Sequence, residues 1–461
     1  MERLATHVFR FLVALVMARL LAPSDYGMVG MLSIFLALAG TIQDSGFSAA
    51  LIQKQDKTEE DYATAFFFNL GVSIFFYVML FFLAPLIAQF YGVRELTPIT
   101  RVIALGLVIN ALGAIQQTRL TINLKFGLLA ALSMTSLAVS SAIGIGLAYK
   151  GYGAWALVGQ SVLGGAANVA MLWCVARWRP ILCFSKDSFR KLFGFGSKLL
   201  CSSMINTIYG NIYALVIGKA FGAAETGHFN RANGFAALPA DTLSEVVLKV
   251  NYPILAKLQD DTPRLVSAYR RLLRTPMFLL VPVLFGMAAV AEPMVRVLIG
   301  EKWLPCVPFL QVLCFGMMWW PLTHINLNLL YVKGRTDLVL KLELIKKPIA
   351  FLILFSTIPF GIFWMCVGKA VYDFIAFCFN CHYTNKVLGY GFWRQMGEIM
   401  PMVANALAMV VLITWTTRFF DSNVAKLTVG VLVGAVSYLV GAAIYREESL
   451  RYAWGLMRRE T

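Results

Sequence analysis

Charged residues are scarce in this chain. Asp, Glu, Lys and Arg make up only 14% of the 461 residues, whereas a typical soluble domain carries about a quarter. Hydrophobic residues make up 59%, and the mean hydropathy is +0.71. Such a composition excludes a water-covered globular surface, so we expect an integral membrane protein. The apolar runs are much longer than barrel strands and do not alternate, which predicts membrane-spanning helices.

Several sequence motifs of catalysis are also missing. The chain has no Walker lysine motif, no glycine-rich dinucleotide fingerprint and no H-E-x-x-H metalloprotease motif. Its longest predicted loops are short, which argues against a membrane-embedded glycosyltransferase or polymerase with a large acidic loop. We therefore expect a transporter and not an enzyme.

Metal and haem chemistry have little support. Residues 378–382 read C-F-N-C-H, which matches the c-type haem attachment pattern. The pattern falls at the predicted cytoplasmic end of a span, whereas haem attachment needs the outer compartment. With only four histidines in the chain, further zinc ligands are lacking. We expect no cofactor and no metal, and we interpret the eight cysteines as small core residues.

An internal repeat organises the chain. Residues 14–27 read A-L-V-M-A-R-L-L-A-P-S-D-Y-G, and residues 214–227 read A-L-V-I-G-K-A-F-G-A-A-E-T-G. Each copy ends an apolar run with a cation, a turn of small residues, an acid and a glycine. A long-period repeat of this kind indicates two homologous halves, which in transporters usually pack about a pseudo-two-fold axis.

The apolar runs predict fourteen spans of roughly 20 residues each. They lie near 5–21, 27–52, 62–90, 99–121, 126–149, 152–176, 192–218, 230–255, 273–299, 304–332, 337–359, 362–384, 396–417 and 424–445. Most lysines and arginines fall in alternate loops and at both ends of the chain, which places both termini in the cytoplasm. The net charge of +16 is therefore a topology signal, and we expect no nucleic-acid partner.

The predicted domains follow from these spans. They are a six-helix lobe (1–178), a basic cytoplasmic linker (179–191), a second six-helix lobe (192–385), and an additional helix pair with a cytoplasmic tail (386–461). The first apolar run carries Arg10 and leads into a turn without an A-x-A site, so we expect no cleaved signal peptide.

Three acids lie within predicted spans. Asp44 and Glu245 occupy corresponding second helices of the two halves, and Asp373 lies four residues after Lys369. Acids in a bilayer usually face a cavity or a partner. They are candidates for an ion-coupling site or for the acids of a substrate cavity. Polar helix packing is the alternative for Asp44 and Glu245, and pairing with Lys369 is the alternative for Asp373.

Lys346 and Lys347 lie about ten residues into the eleventh predicted span, followed by Pro348. Adjacent lysines at that depth predict a site for an anionic group, and the proline suggests a broken helix. The alternative is a helix that extends into the cytoplasm with its lysines snorkelling to water.

Four charged residues of the two repeated turns are candidates for an outer gate: Arg19, Asp25, Lys219 and Glu225. Interfacial anchoring and loop capping are the alternative. Three tryptophans, Trp303, Trp319 and Trp320, are explained either by an interfacial aromatic belt or by stacking against sugar faces.

Together these segments resemble a known family. A-R-L-L-A-P-S-D-Y-G (18–27), D-S-G-F-S-A-A-L-I-Q-K (44–54), G-Y-G-A-W-A-L-V-G-Q (151–160), H-F-N-R-A (228–232), L-Q-D-D-T-P-R-L (258–265), G-E-K-W-L-P (300–305) and K-G-R-T-D-L-V-L-K-L-E-L-I-K-K (333–347) are similar to bacterial polysaccharide flippases. These belong to the multidrug, oligosaccharidyl-lipid and polysaccharide exporter superfamily. The chain resembles most closely its colanic-acid and teichuronic-acid exporter branch.

The resemblance implies an all-α membrane fold with two pseudo-symmetric six-helix lobes in a V and two further C-terminal helices. It implies alternating access, in the bacterial inner membrane, for undecaprenyl-diphosphate-linked sugar repeat units. Membrane lipids, a polysaccharide polymerase and chain-length machinery are the other expected partners. A multidrug or cation antiporter on the same scaffold is the alternative function.

The site residues expected on this basis form two groups. The distantly related lipid II flippase uses an arginine cluster in its first helix, but this chain has only Arg10 and His7 there. We therefore expect the diphosphate to meet Lys346 and Lys347, with Arg10 and Arg231 as further cations. Asn206, Asn211 and Asn326 are the expected sugar contacts.

Overall fold

The computed structural model describes residues 2–445, with the side chains of 2–5, 7, 195, 198, 199, 201, 202 and 245–252 excepted. Glu245 and the tail beyond residue 445 therefore lie outside the described side chains. Within this range every regular element is helical. The α-helices are α1 (Glu2–Leu20), α2 (Pro23–Asp44), α3 (Phe47–Gln53), α4 (Glu59–Tyr91), α5 (Leu96–Ile103), α6 (Leu105–Ile122), α7 (Phe126–Tyr149), α8 (Ala154–Ala176), α9 (Lys186–Phe221), α10 (Ala223–Lys257), α11 (Thr262–Ala289), α12 (Ala291–Leu298), α13 (Cys306–Met317), α14 (Trp320–Val332), α15 (Thr336–Thr357), α16 (Ile362–Leu388), α17 (Phe392–Thr417) and α18 (Asn423–Ile444).

The chain forms a multi-pass membrane protein. In the described part, ten helical segments are long and apolar enough to cross a bilayer. Helices α1, α9, α10 and α15 are not among these ten, but α1, α9 and α10 include residues whose side chains are not described, so the predicted total of fourteen spans stays a prediction. The all-α prediction is confirmed.

The chain divides into two compact units, Met1–Asn230 and Arg231–Thr461, which we call unit 1 and unit 2. In unit 1, α9 packs on α2, α3 and α4. This division lies at residue 230, within α10, because α9 packs on helices that precede the basic linker. The predicted lobes 1–178 and 192–385, with the linker between them, stay a prediction.

The two repeated turns meet inside unit 1. A Cβ added to Gly27 would lie 1.6 Å from the carbonyl oxygen of Ala223, and a Cβ added to Gly227 would lie 1.9 Å from that of Pro23. The two contacts are equivalent, because Gly27 corresponds to Gly227 and Pro23 to Ala223 in the repeat. Reciprocal contacts of this type are the mark of two-fold packing. The glycines of the repeat are therefore needed so that the two backbones can touch.

The second predicted span, 27–52, is interrupted. Helix α2 ends at Asp44 and α3 begins at Phe47, with Ser45 and Gly46 both at positive φ (43° and 71°). A Cβ on Gly196 of α9 would lie 2.2 Å from the carbonyl oxygen of Ser45, so α9 crosses closely at the break. The break predicted from Pro348 is not present, since α15 continues through that proline from Thr336 to Thr357.

In unit 2 the last two helices pack on the rest of the unit, since α17 and α18 both contact α11. Glu398 on α17 accepts from Arg274 of α11 at 2.9 Å and pairs with Arg270 at 2.6 Å. Tyr390 donates to the same carboxylate at 3.0 Å. Burial, together with this carboxylate, raises the pKa of Tyr390 to about 12, so the phenol remains a donor at physiological pH.

Small residues allow α18 to lie close to its neighbours. Gly430 and Gly434 form a G-x-x-x-G pair, and Cβ atoms added there would lie 2.6 Å from Val290 and 3.0 Å from Ile413. Asn405 of α17 donates to the carbonyl of Tyr438 at 2.9 Å. Helix pairs in membranes often associate through such small-residue faces and polar contacts.

Candidate functional site

A polar cavity of about 380 Å³ lies within unit 1, between α2, α3, α6 and α8. We call it the unit 1 cavity. Its lining consists of Gln43, Asp44, Ser48, Ile52, Asn110, Gly113, Ala114, Gln117, Thr118, Thr121, Asn168, Val169 and Leu172. Ligand sites generally have volumes of about 300–1,000 Å³, so this cavity is large enough for a small polar ligand.

The interruption after α2 brings two of the lining groups together. Asp44 is the last residue of α2 and Ser48 lies in the first turn of α3. The Ser48 hydroxyl donates to Oδ1 of Asp44 at 2.7 Å. In transporters, helix interruptions within the membrane are tolerated where they line a cavity. Asp44 is exposed and lines this cavity, and its role as an ion-coupling or cavity acid stays a prediction.

Helix α6 contributes a polar face to the cavity. Thr118 and Thr121 donate their hydroxyls to backbone carbonyls one turn earlier, each at 2.9 Å, and so offer acceptor lone pairs. The side-chain amides of Asn110 and Gln117, and of Asn168 on α8, make no hydrogen bond with the described residues. Polar groups without partners are costly in hydrocarbon. These three amides therefore face water or a ligand.

This polar face is not among the predicted site residues, although the sequence contains a signal for it. Asn110, Gln117, Thr118 and Thr121 recur at offsets of 7, 8 and 11, which places them on one side of a helix. Their neighbours are apolar, so the stripe is a polar face within an otherwise apolar span.

A second cluster lies in unit 2 and consists of Glu343, Lys346 and Lys347 on α15 with Lys369 and Asp373 on α16. We call it the lysine cluster. Lys346 is only 3% exposed. Its Nζ lies 2.7 Å from Oε1 of Glu343 and 3.4 Å from Oδ1 of Asn380. The Nζ of Lys347 lies 3.5 Å from the other oxygen of Glu343. Because the Lys346 side chain is buried in protein, it does not snorkel to water.

Lys369 and Asp373 form the ion pair that the sequence left open as the alternative for Asp373, with 3.2 Å between Nζ and Oδ2. Asp373 also lies within electrostatic reach of Lys347. Lys369 lies over Trp320, 5.7 Å from the ring centroid. Three ammonium groups thus share two carboxylates, so the cluster carries a net positive charge inside the helices of unit 2.

Asn326 is one of the expected sugar contacts, but its amide is already used. It is fully buried on α14. Its Oδ1 accepts from Tyr269 at 2.8 Å and from Thr384 at 2.6 Å, and its Nδ2 donates to Gln395 at 3.1 Å. These bonds connect α11, α14, α16 and α17. Asn326 therefore holds the interior of unit 2 together and is not open to a sugar in this conformation.

The other expected substrate contacts are dispersed. Asn206 is exposed on α9, whereas Asn211 is partly buried and donates to the carbonyl of Thr207 at 2.9 Å. Arg10 is exposed on α1. Arg231, in unit 2, lies 5.2 Å from the ring centroid of Trp303. None of these four residues lines the unit 1 cavity or belongs to the lysine cluster, and their roles stay predictions.

The four candidate gate residues all lie in unit 1 at helix ends: Arg19 in α1, Asp25 in α2, Lys219 in α9 and Glu225 in α10. The Asp25 carboxylate accepts from the backbone N–H of Ala22 at 2.8 Å and so caps α2. Lys219 donates to the carbonyl of Phe90. These contacts are the capping and anchoring interactions left open by the sequence, and a gating role stays a prediction.

The three tryptophans do not form one aromatic surface. Trp303 is fully buried, and Trp319 is 5% exposed and stacks on Phe377. Both are core residues of unit 2, so for them neither the interfacial belt nor sugar stacking applies. Trp320 is partly exposed and stacks on His324.

Sequence comparisons find relatives that are named for polysaccharide biosynthesis or transport. A family model described as "Polysaccharide biosynthesis protein" matches residues 16–308. The teichuronic acid biosynthesis protein TuaB of Bacillus subtilis (strain 168) is 26% identical over 408 residues, which cover 87% of this chain and 84% of that protein. The lipopolysaccharide biosynthesis protein WzxC of Escherichia coli (strain K12) is 28% identical over 343 residues, covering 72% of this chain and 68% of that protein. The succinoglycan biosynthesis transport protein ExoT of Rhizobium meliloti (strain 1021) is 24% identical over 470 residues, covering 100% and 92%.

Solved structures with the same fold are also found. The lipid II flippase MurJ in an inward closed conformation matches with a TM-score of 0.79 at 15% identity, covering 97% of this chain and 99% of that one. An inward-facing multidrug resistance MATE family transporter of the MOP superfamily matches with a TM-score of 0.63 at 14% identity, covering 83% and 95%. At these identities the likeness concerns the fold. The chain belongs to the polysaccharide biosynthesis protein family and has the helical fold of the multidrug, oligosaccharidyl-lipid and polysaccharide exporter superfamily.

Proposed function

We propose that this protein is a flippase, which moves undecaprenyl-diphosphate-linked oligosaccharide repeat units from the cytoplasmic to the outer leaflet of the bacterial inner membrane. Family membership supports this proposal, as do relatives named for polysaccharide biosynthesis or transport. Transport of an intact lipid-linked sugar needs no covalent step, so the protein acts as a carrier and not as a catalyst of bond cleavage.

The lysine cluster is the observation that carries the proposal. A diphosphate diester has two negative charges, and a carrier must provide cations for it away from bulk water. Lys346 and Lys347 are held side by side by the single carboxylate of Glu343. When the substrate enters, its diphosphate replaces Glu343 as the partner of one or both ammonium groups.

The mechanism is alternating access. The sugar head lies in a polar cavity while the lipid tail remains in the bilayer. The substrate shifts the balance between the two conformations only if it binds one of them more tightly than the other. A substrate or ion gradient sets the direction of net transport. Both termini lie in the cytoplasm in this proposal, and the polymerase and chain-length machinery receive the product at the outer face.

The net charge of the lysine cluster distinguishes this function from multidrug or cation antiport on the same fold. A cation antiporter needs an acidic site, because its substrate must be attracted and desolvated by negative charge. The lysine cluster has the opposite sign. This argument favours the lipid-linked sugar over a cationic drug.

The test is substitution of the cluster in cells that depend on this protein. Lys346→Gln, Lys347→Gln and the double variant are expressed at matched membrane levels. Loss of one charge-assisted contact in a partly desolvated site costs about 1.5–3 kcal/mol, so each single variant should export roughly tenfold less polysaccharide or worse. The double variant should nearly abolish export and accumulate the lipid-linked repeat unit in the cytoplasmic leaflet.

Lys341→Gln is the matched control, because Lys341 is exposed on the same helix. This substitution should weaken the binding of the substrate by well under 1 kcal/mol, because an exposed charge contributes little. Wild-type export by the double variant would remove the lysine cluster from the substrate path. If no lipid-linked sugar accumulates when the gene is deleted, the proposed function itself is wrong.

A further inference from the structure

We propose that the unit 1 cavity is a carbohydrate site, which binds the hydroxyl groups of an uncharged sugar through Asn110, Gln117 and Asn168. The assignment rests on the proposed function in one respect, since the sugar would be part of the transported repeat unit. The binding itself can be measured without transport.

Charge excludes the diphosphate from this cavity. Among its lining residues there is one carboxylate, Asp44, and there is no lysine or arginine. A phosphate group placed there would meet a negative charge with no cation to compensate it. The cavity therefore suits a polar ligand that carries no negative charge.

The hydrogen-bonding groups match a polyol. A side-chain amide has two N–H donors and a carbonyl acceptor, and three such amides line the cavity with no partner among the described residues. Thr118 and Thr121 use their protons within α6 and so present acceptors. Each sugar hydroxyl both donates and accepts, so it can satisfy the amides and the threonine oxygens together.

The remaining wall is small and apolar. Gly113, Ala114 and Val169 lie between the polar groups, and they leave room for the C–H face of a sugar ring. The cavity volume of about 380 Å³ is the volume that roughly a dozen water molecules occupy in the liquid, at about 30 Å³ each. A mono- or disaccharide fits that space, whereas the whole lipid-linked repeat unit does not.

A monovalent cation at Asp44 is the competing occupant. One oxygen of that carboxylate accepts from Ser48, and hard cations bind to carboxylate and amide oxygens. A sugar is favoured because the three amides also present N–H donors, which a cation does not use. The experiment must nevertheless separate the two ligands.

The probes are glucose, galactose, N-acetylglucosamine and lactose, together with sodium chloride in a separate arm. Purified full-length protein in detergent is titrated with each, and binding is measured by saturation-transfer NMR for the sugars and by calorimetry for sodium. Gln117→Leu and Asn168→Leu each remove one or two hydrogen bonds, so each should raise the Kd of the bound sugar about three- to tenfold. The double variant should abolish the signal.

Gln89→Leu is the control, because Gln89 is an exposed amide of unit 1 outside the cavity. The Kd of the bound sugar should be the same for Gln89→Leu as for the wild type. Thermal unfolding of each variant checks the fold, which these substitutions should leave intact because the amides make no hydrogen bond with the described residues.

Two results would overturn the inference. The first is the absence of binding for all four sugars at about 100 mM added ligand, a concentration that would saturate a site with a millimolar Kd. The second is sodium binding that Asp44→Asn abolishes and that Gln117→Leu leaves unchanged. Either result leaves the flippase assignment untouched, because that assignment is tested by the lysine cluster and by accumulation of the lipid-linked intermediate.

Discussion

Glu343 is the residue on which the lysine cluster depends. Its two oxygens face Lys346 and Lys347 separately, so one carboxylate offsets the repulsion of two adjacent cations. Removing one lysine leaves a one-to-one pair, whereas removing the carboxylate leaves two ammonium groups side by side. The two kinds of substitution should therefore affect stability and transport differently.

We expect Glu343→Gln to lower the stability of the protein more than Lys347→Gln does. The Glu343 side chain is 32% exposed, so the loss is reduced by solvent and should be about 2–3 kcal/mol. The measurement is thermal unfolding in detergent, with Lys341→Gln as the control. Equal unfolding temperatures for Glu343→Gln and the wild type would show that the cluster does not need its carboxylate.

At the scale of the element, the contact between the two repeated turns, at the starts of α2 and α10, is the one most sensitive to substitution. Gly27 and Gly227 bring the first turns of α2 and α10 together through reciprocal backbone contacts. The break after Asp44 is the second such feature, because it directs Asp44 and Ser48 into the unit 1 cavity. Both features depend on glycine at places where a side chain would collide with backbone.

Gly27→Ala should strongly reduce the amount of folded protein, and with it export. The added Cβ would lie 1.6 Å from the carbonyl oxygen of Ala223, so the two turns must separate, and overpacking of this kind costs about 1–3 kcal/mol or more. Gly40→Ala in the same helix is the control, since nothing lies within 4 Å of its added Cβ. Folded protein is quantified by fluorescence-detected size exclusion. A normal yield of Gly27→Ala would mean that the contact between the turns is dispensable.

At the scale of the whole molecule, the predicted topology assigns every loop to a side of the membrane. The loop at 150–153 should face outward, and the loop that contains Leu182, which is 95% exposed, should face the cytoplasm. The basic residues around Leu182 agree with that side, since cytoplasmic loops are enriched in lysine and arginine.

Cysteine labelling tests this assignment in a background where Cys174 and Cys183 are replaced by serine. Lys150→Cys should react with a membrane-impermeant maleimide in intact cells. Leu182→Cys should react only after the membrane is permeabilised. Labelling of Leu182→Cys from outside would contradict the predicted topology, in which this loop and both termini lie in the cytoplasm.

The sequence by itself determined the class of the molecule. Composition established the membrane helices, and the motifs from 18–27 to 333–347 pointed to the family that the comparisons confirm. The i to i+4 spacing of Lys369 and Asp373 was enough to raise their ion pair as an alternative, because neighbours on one helix are fixed by local geometry. The repeat of 14–27 at 214–227 likewise indicated which turns are equivalent.

Tertiary structure decided which polar side chains are available to a ligand. Asn326 and Asn110 are both amides within apolar helices, yet Asn326 is enclosed by Tyr269, Thr384 and Gln395, and Asn110 faces a cavity. Lys346 is held by a residue three positions away and by Asn380 on another helix. Hydrophobicity and helical period are properties of nearby residues, whereas a hydrogen-bond partner, a cavity or a helix crossing depends on groups distant in sequence. Only the packed helices bring those groups together.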